Sequence, residues 1–261
     1  MIRARKRFGQ HFLEPAWVTK VVAAISAASD QRFIEIGPGR GALTLPLAAK
    51  AAQVIAVEVD RDLAETIGGK ALPNLMVIPG DFLDPTVRGS LTELVAATGS
   101  SFRVAGNLPY NVASPILFSL LDLYASGLPI VDATVMLQRE VADRLLARPG
   151  TKTYGAMTVL IGHNARVDRL LDLPRGAFRP APKVLSTVVR LSFHPPQPAV
   201  RDPELFRGVV QAAFSHRRKT IANALASVRG AAAVPAWLDG RRRPETIDIA
   251  EFARLADDFS R

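Results

Sequence analysis

The residues of this chain best suited to chemistry stand in Gly106-Asn107-Leu108-Pro109-Tyr110-Asn111. The Asn107 side-chain oxygen and the Leu108 backbone carbonyl, the latter held by Pro109, offer two acceptors aimed at one point, and Tyr110 offers a flat face. A planar exocyclic amino group presents two N–H donors, so this order of groups suits an amine on a nucleobase or a glutamine-like amide. The same residues also read as a strand ending in a Pro turn, with Tyr110 in the core. The segment alone does not decide between the two.

Those residues need elements to hold them, and the chain upstream supplies a pattern. Phe33-Ile34-Glu35-Ile36-Gly37-Pro38-Gly39-Arg40-Gly41-Ala42 is an apolar run ending in glycines, and Leu43 to Lys50 reads as a helix start. Strand, glycine turn and helix N-terminus bring backbone N–H groups close to a ligand. A second apolar run, Val54 to Asp60, places Glu58 where a ribose-binding acid belongs. Gly37, Gly39 and Ala42 also satisfy a relaxed dinucleotide fingerprint, so an NAD enzyme stays open at this point.

Charge tilts the choice. Glu35 precedes the first glycine, where a carboxylate meets a pyrophosphate unfavourably but holds an ammonium or sulfonium group. A third run from Leu75 ends in Asp81, suited to an adenine amino group, and Phe82, suited to the ring beside it. Glu35, Glu58 and Asp81 at successive strand ends suit S-adenosylmethionine, whose amino, ribose hydroxyl and adenine amino groups are all donors. Any one of these acids reads more naturally as a solvated turn residue. The ordered set of them, followed by Asn107 to Tyr110 at a fourth strand end, does not.

Alternating apolar and helical segments predict an α/β fold, a Rossmann-like doubly wound sheet, over roughly the first three quarters of the chain. Candidate strands are Phe33–Gly37, Gln53–Val59, Leu75–Pro79, Arg103–Asn107, Ala133–Leu137 and Val184–Phe193. His194-Pro195-Pro196-Gln197-Pro198 is a linker of stacked prolines. Beyond it, Phe206, Val209, Val210, Ala213 and Phe214 recur at helix spacing, as do Ile221, Ala224, Leu225 and Val228. A last helix runs from Thr246 toward Phe259. The division expected is a catalytic domain at 1–194, with an N-terminal basic arm, and a small helical domain at 199–261.

Composition narrows the partners. Lys and Arg number 33 against 24 Asp and Glu, a net charge of +9 that suggests a polyanion. The basic residues cluster at Arg3 to Arg7, Arg217-Arg218-Lys219 and Arg241-Arg242-Arg243, a distribution that favours phosphate contacts. Cysteine is absent, which excludes disulfides, thiolate metal ligands and methyl transfer through a cysteine nucleophile. The histidines His11, His163, His194 and His216 lack metal-ligand spacing, so no metal is expected. No secretory or membrane-length apolar run stands out, and the cytoplasm is the expected location. No dimerisation stripe stands out either, and a monomer is expected.

Together these segments resemble the KsgA family, the adenine N6-dimethyltransferases of small-subunit ribosomal RNA. The resemblance runs from Arg7-Phe8-Gly9-Gln10-His11-Phe12-Leu13 through Glu35 to Gly39, Asn107 to Asn111 and Met136 to Val141. It continues through Phe178-Arg179-Pro180-Ala181-Pro182-Lys183-Val184 to Arg217-Arg218-Lys219-Thr220. The glycine loop is common to many methyltransferases, whereas the Asn-Leu-Pro-Tyr and Phe-x-Pro-x-Pro-Lys-Val segments are far more specific. Both are shared with 23S rRNA methyltransferases of macrolide resistance. Arg217 to Thr220 and the helical tail favour the 16S side.

The resemblance implies S-adenosylmethionine as cofactor and 16S rRNA in the 30S precursor as partner. It implies that His11 and Leu13 cover the cofactor, and that Phe178 stacks on the target base opposite Tyr110. Phe178 also reads as a core aromatic before a Pro-rich turn. Arg139, Arg144, Arg217, Arg218 and Lys219 are the candidates for rRNA backbone contacts, with Arg139 and Arg144 reading equally well as helix-surface partners of Glu140 and Asp143. A 30S assembly factor whose binding outweighs its chemistry is compatible with the same sequence.

Overall fold

The structure, a computed structural model, describes residues 11–216, 218–226 and 234–260. The basic arm at 3–7, the start of the family motif at 7–10, Arg217 and Val228 lie outside the described residues. The chain opens with β1 (Phe12–Leu13), α1 (Pro15–Ile25), β2 (Arg32–Ile36), α2 (Thr44–Ala48), β3 (Gln53–Glu58) and α3 (Arg61–Gly68). It continues with β4 (Leu75–Pro79), α4 (Pro85–Ala97), β5 (Phe102–Asn107), α5 (Ala113–Ala125), β6 (Ile130–Gln138), α6 (Arg139–Leu145) and α7 (Ala156–Gly162). β7 (Ala165–Leu173), β8 (Phe178–Arg179), β9 (Ser186–Phe193), α8 (Pro203–Ser215), α9 (Ile221–Leu225) and α10 (Ile249–Phe259) complete it.

A seven-stranded sheet in the order β4-β3-β2-β5-β6-β9-β7 forms the core of the first compact unit. β4, β3, β2, β5 and β6 run parallel, and β9 pairs antiparallel with β6. Val54, Ile55, Ala56 and Val57 of β3 are all buried, as are Phe33 to Ile36 of β2. Such continuous runs, rather than alternation, mark strands covered on both faces. The expected strands all appear, with ends shifted by a few residues. β7 was not among them: its exposed and half-buried residues alternate poorly with buried ones, as suits a charged edge strand.

Strand order reverses beside β2, since β3 and β4 follow on one side and β5 and β6 on the other. Ligands of open α/β sheets bind outside the carboxyl ends of strands at such a reversal. β5 can approach β2 there because residue 106 is glycine. A Cβ at Gly106 would lie 2.7 Å from the Ile36 carbonyl oxygen, closer than packed atoms tolerate.

At the opposite ends of these strands a buried pair anchors α1. Arg103 and Asp132 are register partners on β5 and β6, joined at 3.0 Å. Arg103 also donates to the Ile25 and Ser26 carbonyls, and Arg190 to those of Ala24 and Ile25. The last carbonyls of α1 are thus satisfied by guanidinium groups, which also oppose the negative end of the helix dipole.

The second unit takes in Asp143–Val167 and the chain from His194 onward. The sequence places the first of these segments in the catalytic domain, but it packs with the helical tail. The Tyr154 hydroxyl donates to the Ile247 carbonyl, the Gly150 amide to Glu245, and the His163 ring bonds the Pro198 carbonyl. α8 and α10 follow the predicted periodicity, and Asp248 and Glu251 cap α10 reciprocally. Among the described residues no helix is long and apolar enough to cross a membrane.

Candidate active site

Parallel register brings the candidate residues to one end of the sheet. Glu35 lies near the end of β2, Glu58 ends β3, Asp81 follows β4 and Asn107 ends β5. They line two adjoining cavities that share Gly37, Val59 and Pro109. One holds His11, Leu13, Glu35, Gly39, Glu58 and Asn107 to Tyr110; the other holds Asp81 and Phe82. The cofactor residues expected from sequence are therefore brought together.

Glu58 organises the glycine loop. Its Oε2 accepts from the Gly39 amide at 2.8 Å and its Oε1 from the Asp60 amide at 2.9 Å. Gly39 is left-handed (φ 58°), and a Cβ there would crowd the Phe12 ring at 3.3 Å. Burial pushes the Glu58 carboxyl above its ordinary range, while those two amides pull it back. A carboxylate has about four acceptor directions, so two remain for hydroxyl donors.

Glu35 is a different case. It is 1% exposed, and among the described residues its Oε2 has no hydrogen-bond partner. Burial drives its pKa up to about 8, with the Thr44 hydroxyl opposing the rise and the Glu58 charge adding to it. A buried, unpartnered carboxyl oxygen on a cavity wall calls for a cationic donor. With Glu58 for hydroxyls and Asp81 for an amine, the acceptor set fits a nucleoside carrying an ammonium group. Asp81 spends one oxygen on the Leu83 amide at 2.9 Å.

Asn107 is oriented by the strap that precedes α1. Its Nδ2 donates to the His11 carbonyl at 2.8 Å. A carbonyl accepts and cannot donate, so this partner fixes which amide end is nitrogen and leaves Oδ1 as the acceptor end. The strap is itself secured: β1 pairs antiparallel with β8, and the His11 Nδ1 donates to the Pro180 carbonyl at 2.7 Å. The His11 ring stacks on Tyr110 with centroids 5.4 Å apart, and the Tyr110 hydroxyl bonds Ser186 at 2.6 Å. Burial raises the Tyr110 phenol above its ordinary pKa, partly offset by the hydrogen bond with Ser186.

One expectation is corrected. Phe178 is 0% exposed and belongs to the core cluster that holds Leu13, Met136 and Val188. A ring enclosed on all sides presents no face to a base, so the core reading describes it. Pairing with Leu13 across the β1–β8 ribbon turns it inward.

Of the RNA candidates, Arg139 is exposed at the start of α6, Arg144 is exposed later on it, and Arg218 and Lys219 are exposed between α8 and α9. Arg144, Arg218 and Lys219 belong to the second unit. The run at 241–243 is less available than its charge suggests. Arg242 makes a two-pronged pair with Glu251, Arg241 pairs with Asp239 and Arg243 with Glu245. Phe12, Arg40, Val59 and Met136 line the cavities although sequence reasoning passed over them. Met136 is the register partner of Asn107, a relation visible only once β5 and β6 are paired.

Comparison with known proteins identifies the family of the chain. A model of the family described as Ribosomal RNA adenine dimethylase matches residues 1–257. Ribosomal RNA small subunit methyltransferase A of Pseudomonas fluorescens is 42% identical over 266 residues, covering 99% of this chain and 94% of that protein. The protein of that name from Aromatoleum aromaticum is 40% identical, covering 98% and 94%. Among solved structures, a dimethyladenosine transferase from Plasmodium falciparum shares the fold at TM-score 0.75 and 22% identity, over 96% of this chain and 98% of that one. The 23S rRNA methyltransferase ErmE superposes at TM-score 0.66 with 25% identity, over 96% and 100%.

Proposed function

The chain belongs to the ribosomal RNA adenine dimethylase family, and from that premise we propose that it dimethylates N6 of two adjacent adenosines in the 3′-terminal hairpin loop of 16S rRNA, within the immature small subunit. The observation that carries this reading is the Asn107 amide, whose nitrogen is committed to the His11 carbonyl, which leaves its oxygen as an acceptor in a cavity that Leu108 also lines. The small-subunit target is supported by relatives of that name at 40–42% identity, against 25% for the 23S enzyme.

S-adenosylmethionine supplies an electrophilic methyl group on a sulfonium. Glu35 is suited to hold its ammonium, Glu58 its ribose hydroxyls and Asp81 its adenine amine, with Phe82 and Val59 against the ring. The adenine N6 lone pair is delocalised into the ring and is a poor nucleophile, so alignment matters more than a strong base. Asn107 Oδ1 and the Leu108 carbonyl accept the two N6 hydrogens, which favours a pyramidal nitrogen with its lone pair free. As positive charge develops on nitrogen, the same two acceptors bind it more strongly. Tyr110 packs on the base, and a base on the His11 side must displace the imidazole, because centroids 5.4 Å apart leave no room for a third ring. The methyl leaves sulfur for nitrogen, releasing the neutral thioether S-adenosylhomocysteine, and the cationic amine then loses one proton to water. A single N–H remains after the first transfer, and one acceptor suffices to orient it.

The substrate is tested by methyl transfer from labelled S-adenosylmethionine to unmethylated 30S particles, with 50S particles and naked 16S rRNA in parallel. Label on 30S alone is expected. Label on 23S rRNA would place the chain with the resistance enzymes, and no label anywhere would leave a binding factor.

A further inference from the structure

Building on that rRNA reading, we propose that a cleft beside the methyl-transfer cavity is a subsite for a nucleotide flanking the target adenosine. Arg40 and Arg179 meet its phosphates and an apolar floor meets its base. The cleft encloses about 430 Å³ between Phe12, Arg40, Leu45, Pro46 and Arg179, within the range of small-ligand sites. Phe12, Leu13, Arg40 and Ala42 line both this cleft and the cofactor cavity, so the two share a wall.

Local structure fixes the arrangement. Phe12 and Arg179 are direct partners across the β1–β8 ribbon, so their side chains emerge on the same face. Arg40 comes from the glycine loop, with its guanidinium carbon 4.1 Å from the centre of the Phe12 ring. One guanidinium thus stacks on the aromatic ring, and a second lines the same cleft. Leu45, 37% exposed, contributes an apolar surface at the start of α2. Glu14 pairs with Arg179 at 3.3 Å, but Arg179 is 74% exposed, and an ion pair so open to water exchanges readily for a phosphate oxygen.

Cations set around flat apolar and aromatic surface are what grooves for single-stranded nucleic acid use. The placement also matches the chemistry. An enzyme that modifies two neighbouring adenosines must hold one while the other reacts, and a nucleotide next to the target lies within one backbone repeat of it. A cleft sharing a wall with the reaction cavity meets that requirement.

The test compares Arg40→Ala, Arg179→Ala and Leu45→Ser with the parent chain in binding a fluorescent RNA of the 16S 3′-terminal hairpin over a salt series. Affinity for S-adenosylhomocysteine is measured beside it by calorimetry. Each arginine variant is expected to lower the slope of log K against log salt by about 1, the loss of roughly one phosphate contact. Leu45→Ser is expected to weaken binding by about threefold to tenfold at unchanged slope, and Arg179→Ala and Leu45→Ser, whose residues lie outside the cofactor cavity, keep the parent's S-adenosylhomocysteine affinity. An unchanged RNA affinity and slope in Arg179→Ala would overturn the subsite. So would a loss of S-adenosylhomocysteine affinity in Arg40→Ala, which would assign that guanidinium to the cofactor carboxylate. A parent chain that methylates 30S particles beside variants that bind RNA equally well removes the subsite alone, whereas a parent that methylates nothing removes the functional reading beneath it.

Discussion

Asn107→Ala lowers the rate of methyl transfer by about a hundredfold to a thousandfold, the size of effect seen when one preorganised group facing developing charge is removed. Two things are lost together: the Oδ1 acceptor for N6 and the Nδ2 bond that ties the His11 carbonyl to the end of β5. The variant keeps its fold, since Asn107 is only half-buried and its backbone pairing to β6 does not use the side chain. S-adenosylhomocysteine affinity falls by no more than about tenfold, the worth of one ordinary hydrogen bond. Asn107→Asp separates the two losses. It retains an acceptor oxygen but sets a carboxylate against the His11 carbonyl, so the strap is repelled rather than held. Single-turnover rates and calorimetry on both variants check this, and a rate within about threefold of the parent for Asn107→Ala, well short of the expected loss, would remove the acceptor role.

The second large effect concerns Glu35, where affinity and stability move in opposite directions. Glu35→Gln removes the charge facing the cofactor's ammonium and weakens S-adenosylhomocysteine binding by about tenfold to a hundredfold, the worth of a hydrogen bond to a charged group. The cofactor-free protein nevertheless becomes more stable. Folded Glu35 keeps its proton up to about pH 8, whereas the unfolded chain releases it near the usual 4.5. Between those values the folded state binds the extra proton, so stability falls as pH rises, by about 3 kcal/mol on reaching pH 7. Urea unfolding of the parent at pH 5.5 and 7 should show about 2 kcal/mol of that loss, reduced in Glu35→Gln. Binding follows the same linkage with the opposite sign. A cation favours the carboxylate, so affinity in the parent rises from pH 6 toward 8 as less work is needed to remove the proton, with Glu58 nearby adding negative charge. A pH-independent affinity over that window, or a Glu35→Gln protein less stable than the parent, would contradict the assignment.

How much of this was legible in sequence follows from what is local. β2, β3, β4 and β5 are short apolar runs whose chemistry sits at their carboxyl ends, so Glu35, Glu58, Asp81 and Asn107 could be placed from pattern alone. Parallel register then does the rest, because strands that start in step end in step. Contacts between distant segments were not legible. The β1–β8 ribbon joins residues far apart in sequence through two register pairs, and no periodicity announces so short a strand. That ribbon nonetheless decides where Phe178 points, which carbonyl holds Asn107 and where the His11 ring lies. For the same reason the segment 143–167 read as part of the catalytic domain although its hydrogen bonds run to the tail. Charge runs misled where partners were close at hand, as Arg242 with Glu251 shows.

The central claim is that the Asn107 and Leu108 acceptors present adenine N6 for two successive methyl transfers. It is tested most directly by incubating the chain with S-adenosylmethionine and unmethylated 30S particles, digesting the 16S rRNA and mapping N6,N6-dimethyladenosine by mass analysis of the fragments. The account predicts the dimethylated nucleoside at both adjacent positions of the 3′-terminal hairpin loop and nowhere else. Methylation confined to another base or another atom, or dimethyladenosine outside that loop, would contradict it.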